Sequence, residues 1–454
     1  MGKSQAYHPD PAILSLGDGF FDPVKAAVFP DHKLRFFNQR WADRVGLGDV
    51  DVVAHFGRFE PLDGNLPQLL ALRYHGHQFR HYNPDIGDGR GFLFAQLRDD
   101  MGRLLDLGTK GSGQTPYSRF GDGRLTLKGG IREVLATEML EALGVNTSKS
   151  FALIETGEEL TRNDEPSPTR SAVLTRLSHG HVRIGSFQRL AFLEDKQGLS
   201  QLVEYSLQNL FKKPHESNAL TLFQETAAAT AELAASYLSA GFVHGVLNSD
   251  NINITGESFD YGPWRFAPTW DEEFVAAYFD QGGLYAFGRQ PEAIHWDLAQ
   301  LGGCLALIAD GPALAGILAG WPKQFEKALF AALVKRLGIE PTSDDQPLVA
   351  ALLKALRTQA VTIDRLFFDF RGGRIPDGYD GEEFAALKQQ LESRTPLPHA
   401  LDHDYWSDNA PCSMHIEEVE AIWTAIADTD DWGPFNAKIA AIRQFGDAMT
   451  LPCA

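Results

Sequence analysis

The sequence predicts an α+β protein with two lobes, one rich in β-strands and one helical, followed by a helical C-terminal extension. Short apolar runs bounded by glycine-rich turns dominate up to about residue 190, which is typical of strands. Long patterns rich in Ala and Leu, with helical periodicity, dominate after that point and predict helices at 220–240, 296–308 and 324–337. A cluster of polar residues at 244–262 follows one of these long helical patterns. We therefore expect a strand-rich lobe over residues 1–190, a helical lobe over 191–300 and an extension over 301–454.

The composition restricts the class of protein. The chain has 454 residues, of which 44% are hydrophobic and 22% are charged, as in an ordinary globular protein. Its formal net charge of -19 argues against nucleic acid as a partner, because phosphate backbones require a basic surface. Its three cysteines are far apart in the sequence, which argues against a disulfide framework or a zinc ribbon and favours a reducing compartment.

The sequence carries no recognisable targeting signal. Residues 1–6 have neither the apolar core of an export signal nor the Arg-rich pattern of a transit peptide. No apolar stretch approaches the length of a membrane-spanning helix. We therefore expect a cytoplasmic protein without a membrane partner, and we expect it to act as a monomer.

The strongest functional signal lies between His244 and Asp260. The catalytic loop of protein kinases contains His-x-Asp, four further residues and Asn; an Asp-Phe-Gly triplet follows, and its Asp binds metal together with the Asn. Here Asn251 stands five residues after position 246, and Asp260 opens the later triplet. Val246 occupies the place of the catalytic Asp and cannot accept a proton, whereas Asp250 adjoins Asn251. The pattern predicts a site for a metal-bound nucleotide without the usual kinase base.

The other parts of a kinase site precede this loop in the expected order. A glycine-rich run at 87–91 leads into an apolar strand, and a second strand at 104–108 ends near Lys110. The predicted helix at 131–143 carries Glu133 on a face separate from its apolar stripe. Each part alone has an ordinary alternative: a hairpin turn, a surface lysine or a solvated helix residue. Their common order indicates a kinase-like fold.

Two further groups of residues allow more than one interpretation. Arg176 and Arg183 are candidate phosphate contacts, because a guanidinium matches phosphate oxygens, although their spacing alone favours two surface arginines. The close histidine pairs at 75 and 77 and at 179 and 181 could suggest a metal site. Neither pair has a visible third ligand, so we do not expect metal there.

Several segments together are similar to one known family. They are residues 76–79, 87–91, 108–113, 115–119, 121–124, 131–133, 248–251 and 260–263. Over about residues 15–300 the chain resembles the selenoprotein O family of protein adenylyltransferases, which have a pseudokinase fold; beyond that range the resemblance fades. The resemblance implies transfer of AMP from ATP to hydroxyl side chains of proteins, with ATP bound in a flipped orientation.

The resemblance also implies roles for individual residues. Those that would contact the nucleotide are Gly87, Gly89, Arg90, Lys110, Asp122, Gly123, Arg176 and Arg183, with Glu133 and Asp260 completing the set. Lys110 would pair with Glu133. Asn251 and Asp260 would bind Mg²⁺, or alternatively Mn²⁺, and Asp250 would be the catalytic base. The expected partners are therefore ATP and proteins that present an acceptor hydroxyl.

The chain departs from the family pattern in its cysteines. Many members have a cysteine in the segment after the metal site that can pair with a cysteine or selenocysteine near the C-terminus. Here Ala276 occupies that place, so Cys453 lacks the implied partner. Two alternatives to AMP transfer also stay open: a phosphotransferase with Asp250 as a displaced base, and an inactive scaffold that binds ATP.

Overall fold

A computed structural model describes residues 6–163 and 165–450, and the protein is of the α+β class. The strands in this part of the chain are β1 (Phe21–Val24), β2 (Lys33–Phe37), β3 (Leu69–Leu72), β4 (Gly76–Gln78), β5 (His81–Asn83), β6 (Leu93–Arg98), β7 (Leu104–Lys110), β8 (Leu125–Thr126), β9 (Lys149–Leu160), β10 (Thr169–Ser178), β11 (Phe242–His244) and β12 (Trp264–Phe266). The α-helices are α1 (Gln39–Arg44), α2 (Val52–Phe56), α3 (Leu127–Ala142), α4 (Ile184–Phe192), α5 (Lys196–Asn209), α6 (Ala219–Ala240), α7 (Gln290–Leu305), α8 (Gly311–Leu337), α9 (Gln346–Arg357), α10 (Ile363–Asp369), α11 (Glu382–Leu391), α12 (Ile416–Thr429) and α13 (Gly433–Met449).

The main sheet has eight strands, and its neighbouring strands run antiparallel. Their order is β1-β3-β6-β7-β10-β9-β2, and the short β8 pairs with β10. Two small antiparallel pairs, β4–β5 and β11–β12, lie outside this sheet. The expected α+β class is therefore confirmed, with the large sheet built by the first 180 or so residues and mainly helices after it.

Alternate side chains of the sheet fill two different cores. Leu105 and Leu107 of β7 belong to the core that includes α1 and α2, whereas Leu104 belongs to the core that includes α3. Lys110 has the same parity as Leu104 and points towards α3, where it meets Glu133. The sheet thereby directs the lysine into a buried position at the end of a central strand.

Helix α3 begins earlier than the sequence pattern predicted. Thr126 caps it by accepting a hydrogen bond from the backbone N–H of Gly129 at 3.1 Å, which extends the helix four residues ahead of Ile131. Its side chains are buried on nearly every face, and Glu133 is only 1% exposed. A separate solvated face for Glu133 is therefore wrong, because the sheet and the C-terminal helices cover this helix from several sides.

The other predicted helices differ mainly at prolines. Helix α6 matches the predicted span at 220–240, with Asn218 as its N-cap and Gly241 in a left-handed conformation after its end. Helix α8 continues through Pro322, so it is longer than the segment predicted at 324–337. Helix α7 begins ahead of the predicted 296–308 because Pro291 is tolerated in its first turn. Among the described helices, none combines the length and apolar character needed to cross a bilayer.

Candidate active site

The predicted catalytic loop lies between two short paired strands. Residues 245–263 connect β11 to β12, which pair from Phe242 with Phe266 to His244 with Trp264. The imidazole of His244 is buried, with Nε2 3.1 Å from the carbonyl oxygen of Phe259 and Nδ1 accepting from the backbone N–H of Val246 at 3.4 Å. Burial lowers the pKa of this imidazole, so it stays neutral and orients the backbone at both ends of the loop.

Strand β4 packs directly on this loop. The backbone N–H of His77 donates to Ser249 Oγ at 2.7 Å. A Cβ atom added at Gly76 would lie 2.9 Å from the Cβ atom of Asp250, so glycine is needed for the two segments to approach this closely. The contact places the carboxyl group of Asp250 against the backbone of β4 at Gly76.

The carboxyl group of Asp250 is buried, and its Oδ1 atom has no hydrogen-bond partner within the part of the chain that the structure describes. Burial raises its pKa to about 6, although the nearby Arg183 favours the charged form. Val246 lines the same cavity and offers no proton acceptor there. An unpartnered buried carboxylate oxygen is costly unless a ligand engages it.

Asn251 and Asp260 supply oxygen atoms on the same side of the cavity. The Asn251 amide donates from Nδ2 to the carbonyl oxygen of Val246 at 3.0 Å, which fixes its orientation. Asp260 has a positive φ of 60°, the left-handed conformation that turns its carboxylate towards Lys110. Among the described residues, no cluster of three or more His, Cys, Asp and Glu side chains forms a complete metal cage.

Lys110 lies at the centre of a buried charge cluster. Its ammonium group hydrogen-bonds to Glu133 and lies 2.6 Å from Asp260 Oδ1. The guanidinium of Arg176 lies 3.3 Å from the same Asp260 oxygen and 3.8 Å from Glu133 Oε2. Burial alone would raise the pKa of Asp260, but Lys110 and Arg176 outweigh it and hold that pKa well below its usual range. The Asp260 carboxylate is therefore charged and available to a cation.

Arg183 is buried and packs between two aromatic rings. Its guanidinium carbon lies 4.3 Å from the ring centre of Tyr74 and 4.8 Å from that of Phe259. It donates to the backbone oxygen of Asp250 at 3.0 Å and to Asp88 Oδ1 at 3.2 Å. The interpretation of Arg176 and Arg183 as surface strand arginines is therefore wrong. Spacing could not reveal this, because Arg183 follows β10 and is buried by residues far from it in sequence.

The glycine-rich segment at 87–91 forms an open loop rather than a hairpin. It connects β5, which pairs with β4, to β6 of the main sheet. Ser118 Oγ donates to the carbonyl oxygen of Gly89 at 2.5 Å, and a Cβ at Gly87 would come within 2.5 Å of the Tyr117 ring. Glycine therefore lets this loop lie flat against the following loop and expose its backbone to the cavity.

These groups surround one open cavity of about 770 Å³. The residues predicted from the sequence that line it are Gly87, Gly89, Arg90, Lys110, Asp122, Gly123, Arg176, Arg183, Asp250, Asn251 and Asp260. Glu133 does not reach the cavity and instead lies behind Lys110. The cationic side chains around it are Arg90, Lys110, Arg119, Arg124, Arg162, Arg176 and Arg183. An acidic protein thus contains a locally cationic cavity, which suits an anionic ligand.

Sequence reasoning missed several residues at the rim. Arg162 lies in the connection between β9 and β10, and its NH1 group is 2.8 Å from Asp122 Oδ2. Phe120 lies on the same rim and is fully exposed. No local pattern marks Arg162, because only the pairing of β9 with β10 carries their connection to the cavity. Phe120 could have been noticed as an apolar residue within a polar turn.

The histidines considered as metal ligands have hydrogen-bonding partners elsewhere. His75 Nδ1 lies 2.7 Å from the hydroxyl group of Tyr82. His181 Nδ1 lies 3.0 Å from Asp106 Oδ2 in the interior. Both contacts account for the burial of these side chains as part of the packing around the cavity.

Comparison with known proteins extends the match found in the sequence. The family model described as "Protein adenylyltransferase SelO" matches residues 4–407, well beyond residue 300, where the resemblance was expected to fade. "Protein nucleotidyltransferase YdiU" of Synechocystis sp. is 41% identical, over 96% of this chain and 97% of its own length. The protein of the same name from Gloeobacter violaceus is 42% identical over 96% of this chain and 95% of its own. The one from Roseobacter denitrificans is 36% identical over 93% and 90%. With the family model matched over most of its length, this chain belongs to the SelO family of protein adenylyltransferases.

Proposed function

We propose that this protein transfers AMP from ATP to hydroxyl side chains of other proteins. The observation that carries this proposal is the buried Asp250 carboxylate beside Asn251, whose Oδ1 atom has no partner among the described residues, in a cavity rich in cationic side chains. A kinase of the usual kind needs its base at position 246, where this chain has valine. The names of the family model and of the relatives support the same reaction.

The arrangement supports a kinase-like fold with two lobes. In this assignment residues 1–190 carry the glycine-rich loop, the strand lysine Lys110 and its helix partner Glu133. Residues 191–300 carry the catalytic loop and the metal ligands, and 301–454 form the helical extension. The pairing of Lys110 with Glu133 and the docking of β4 on Ser249 support this division of roles between the lobes.

The chemistry of Asn251 and Asp260 fits a hard divalent cation. Both offer oxygen atoms, and the Asp260 carboxylate is kept charged by Lys110 and Arg176. Because the described residues form no group of three or more His, Cys, Asp or Glu ligands, ATP phosphates would complete the coordination of Mg²⁺, or alternatively of Mn²⁺. The bound ion would neutralise charge on the phosphates during transfer.

The cationic side chains would hold the phosphates of ATP. Lys110, Arg176 and Arg183 are fixed by neighbouring carboxylates and rings, so they would bind oxygens without first being ordered. Arg90 and the backbone N–H groups of Gly87 and Gly89 would close over them from the loop. Asp122 and Gly123 line the rim and would contact the nucleotide there.

In the proposed reaction Asp250 accepts the proton of the acceptor hydroxyl. The freed oxygen forms a bond to the α-phosphorus, the bond from the α-phosphorus to the bridging oxygen of the β-phosphate breaks, and diphosphate leaves. Arg176 and Arg183 would stabilise the negative charge that develops on the diphosphate. The partners are therefore ATP and proteins with an accessible hydroxyl, and the proposal places the enzyme in the cytoplasm as a monomer.

Labelled ATP distinguishes this proposal from its alternatives. With α-labelled ATP and Mg²⁺, we expect label on the protein itself or on a substrate protein, and none with γ-labelled ATP. Asp250→Asn, which preserves the packing against Gly76, should bind ATP but transfer no label. Label from the γ-position would indicate a phosphotransferase. Binding of ATP without transfer of either label would indicate a scaffold.

A further inference from the structure

The cavity has a clear phosphate end but few free surfaces for a base. Tyr74 and Tyr117 line it, and each ring already packs against another residue of the protein. The Tyr74 ring is covered by Arg183 at 4.3 Å. The Tyr117 ring packs against Gly87, and its hydroxyl group donates to Asp22. A nucleobase binds well against a flat apolar surface, so the remaining aromatic residue at this cavity is a candidate for contact with the base.

Phe120 is that residue. It lines the cavity at the rim, and its relative exposure of 106% shows that no described residue covers its ring. A phenyl ring that is exposed at the edge of a ligand cavity is free to pack on the flat face of a bound ligand. The other rim residues are polar or charged, so Phe120 provides the flat apolar face that this end of the cavity otherwise lacks.

The loop presents Phe120 from a hydrogen-bonded backbone. The N–H group of Gly121 donates to the carbonyl oxygen of Ser118 at 2.7 Å. The side chain of Gln114 donates to the carbonyl oxygen of Gly121 at 2.8 Å. Arg119 adopts a left-handed φ of 53°, which turns the chain at this point. Because the backbone is held on both sides of Phe120, binding would order little beyond the ring itself.

We propose that Phe120 stacks on the adenine ring of ATP. The phosphates then lie at the cationic end near Lys110 and Arg183, and the base lies at the rim. Stacking on a phenyl ring recognises the flat face of any base, so this contact provides affinity rather than choice of base. The inference rests on the proposed function only for ATP binding and does not require AMP transfer.

Calorimetric titration with two ligands tests this contact in the presence of Mg²⁺. Phe120→Ala should weaken ATP binding about tenfold but leave the affinity for inorganic tripolyphosphate, which has no base, unchanged. Phe120→Trp should restore or increase ATP affinity, because it offers a larger ring. Tyr278→Ala is the matched control: Tyr278 is an aromatic residue with 82% exposure outside this cavity. That substitution should change neither affinity.

Other results of these titrations would distinguish failure of the stacking inference from failure of the proposed function. Equal loss of ATP and tripolyphosphate binding in Phe120→Ala would overturn the inference, since the loop would then be shaping the phosphate site. Unchanged ATP binding in Phe120→Ala would also overturn it. The ring would then be available to contact the protein substrate instead. If the unsubstituted protein bound no ATP, the proposed function itself would fail. ATP binding without AMP transfer would contradict only the reaction, not the stacking contact.

Discussion

Lys110 shows that one side chain can serve both the fold and the site. Its ammonium group neutralises Glu133, which is only 1% exposed, and reaches Asp260 in the cavity. Removing one partner of such a buried pair leaves an uncompensated charge and costs about 3–5 kcal/mol. Lys110→Met should therefore lower AMP transfer about 100-fold or more. It should also lower the free energy of unfolding by about 3–5 kcal/mol. Transfer assays and urea denaturation measure the two effects.

A second substitution separates these two effects. Glu133→Gln in the Lys110→Met background removes the unpaired charge, so stability should recover largely while AMP transfer stays low. Recovery of activity together with stability would show that Lys110 acts only through folding. Full activity in the single variant would remove Lys110 from the site altogether.

Glu257 provides a pH-dependent test of burial away from the cavity. Its carboxyl group accepts from the backbone N–H of His179 at 2.7 Å, and burial raises its pKa to about 7, with Lys149 opposing the shift. The folded state therefore favours the neutral form. This contribution to stability is complete below the unfolded pKa of about 4.5 and is lost as pH rises through 7.

Glu257→Gln keeps an acceptor for His179 but removes the buried charge. The stabilisation it confers at pH 8.5 should exceed that at pH 5 by about 2 to 3 kcal/mol, measured by urea denaturation at both pH values. Glu232→Gln, at an exposed position, should show no comparable difference. Equal effects of Glu257→Gln at the two pH values would show that the carboxyl group is solvated.

Single residues of the site were predictable only where a fixed spacing accompanies the chemistry. Asn251 and Asp260 follow His244 at kinase-like intervals, so their convergence on one cavity was predictable. Arg162 and Phe120 reach that cavity through loops whose positions depend on strand pairing elsewhere. The polar turn around Phe120 is the one local signal, and no property of the neighbours of Arg162 in the sequence indicates its position.

At the scale of elements, periodicity predicted those whose burial pattern is regular. Helix α6 has good caps at both ends, and its bounds were predicted within a residue. The short strands β4 and β11 were not predicted, because three residues carry too little periodicity. Yet β4 packs against Asp250 through Gly76, and β11 pairs with β12 on either side of the predicted catalytic loop. The least regular elements therefore determine the geometry of the site.

The contacts between elements explain why glycines are frequent around the cavity. A Cβ at Gly91 would lie 2.0 Å from the carbonyl oxygen of Thr109, and one at Gly123 would lie 2.3 Å from the backbone of Gly113. Backbone thus packs on backbone at several places along the two loops that border the cavity. The sequence shows these glycines, but their partners become visible only in the fold.

On the scale of the whole molecule, the C-terminal helices return to the large sheet. Arg443 of α13 forms a 2.8 Å ion pair with Glu138 of α3. Glu420 of α12 lies 2.7 Å from Lys128, which also belongs to α3. Helix α3 also carries Glu133, the partner of Lys110. The last helices thereby support the helix whose Glu133 pairs with Lys110 at the cavity. Local sequence patterns predicted helices there but not this long-range packing.

This arrangement bears on redox control, because the family resemblance implies a disulfide between the C-terminal end and the segment after the predicted metal ligands. Ala276 in that segment is buried and has no thiol. Cys453, the other expected half, lies outside the described residues. Burial raises the pKa of Cys304 to about 12 and that of Cys412 to about 11, so both thiols are poorly reactive.

We therefore expect AMP transfer to change by less than about twofold when dithiothreitol is added, because Ala276 has no thiol and the two described cysteines, Cys304 and Cys412, are poorly reactive. The measurement is transfer from α-labelled ATP after incubation with oxidant or with reductant. Cys453→Ser is the control and should behave like the unsubstituted protein under both conditions. A several-fold rise in activity on adding reductant would contradict this expectation if the rise is absent in Cys453→Ser. It would show that another cysteine of this chain has taken over the role of the missing partner at Ala276.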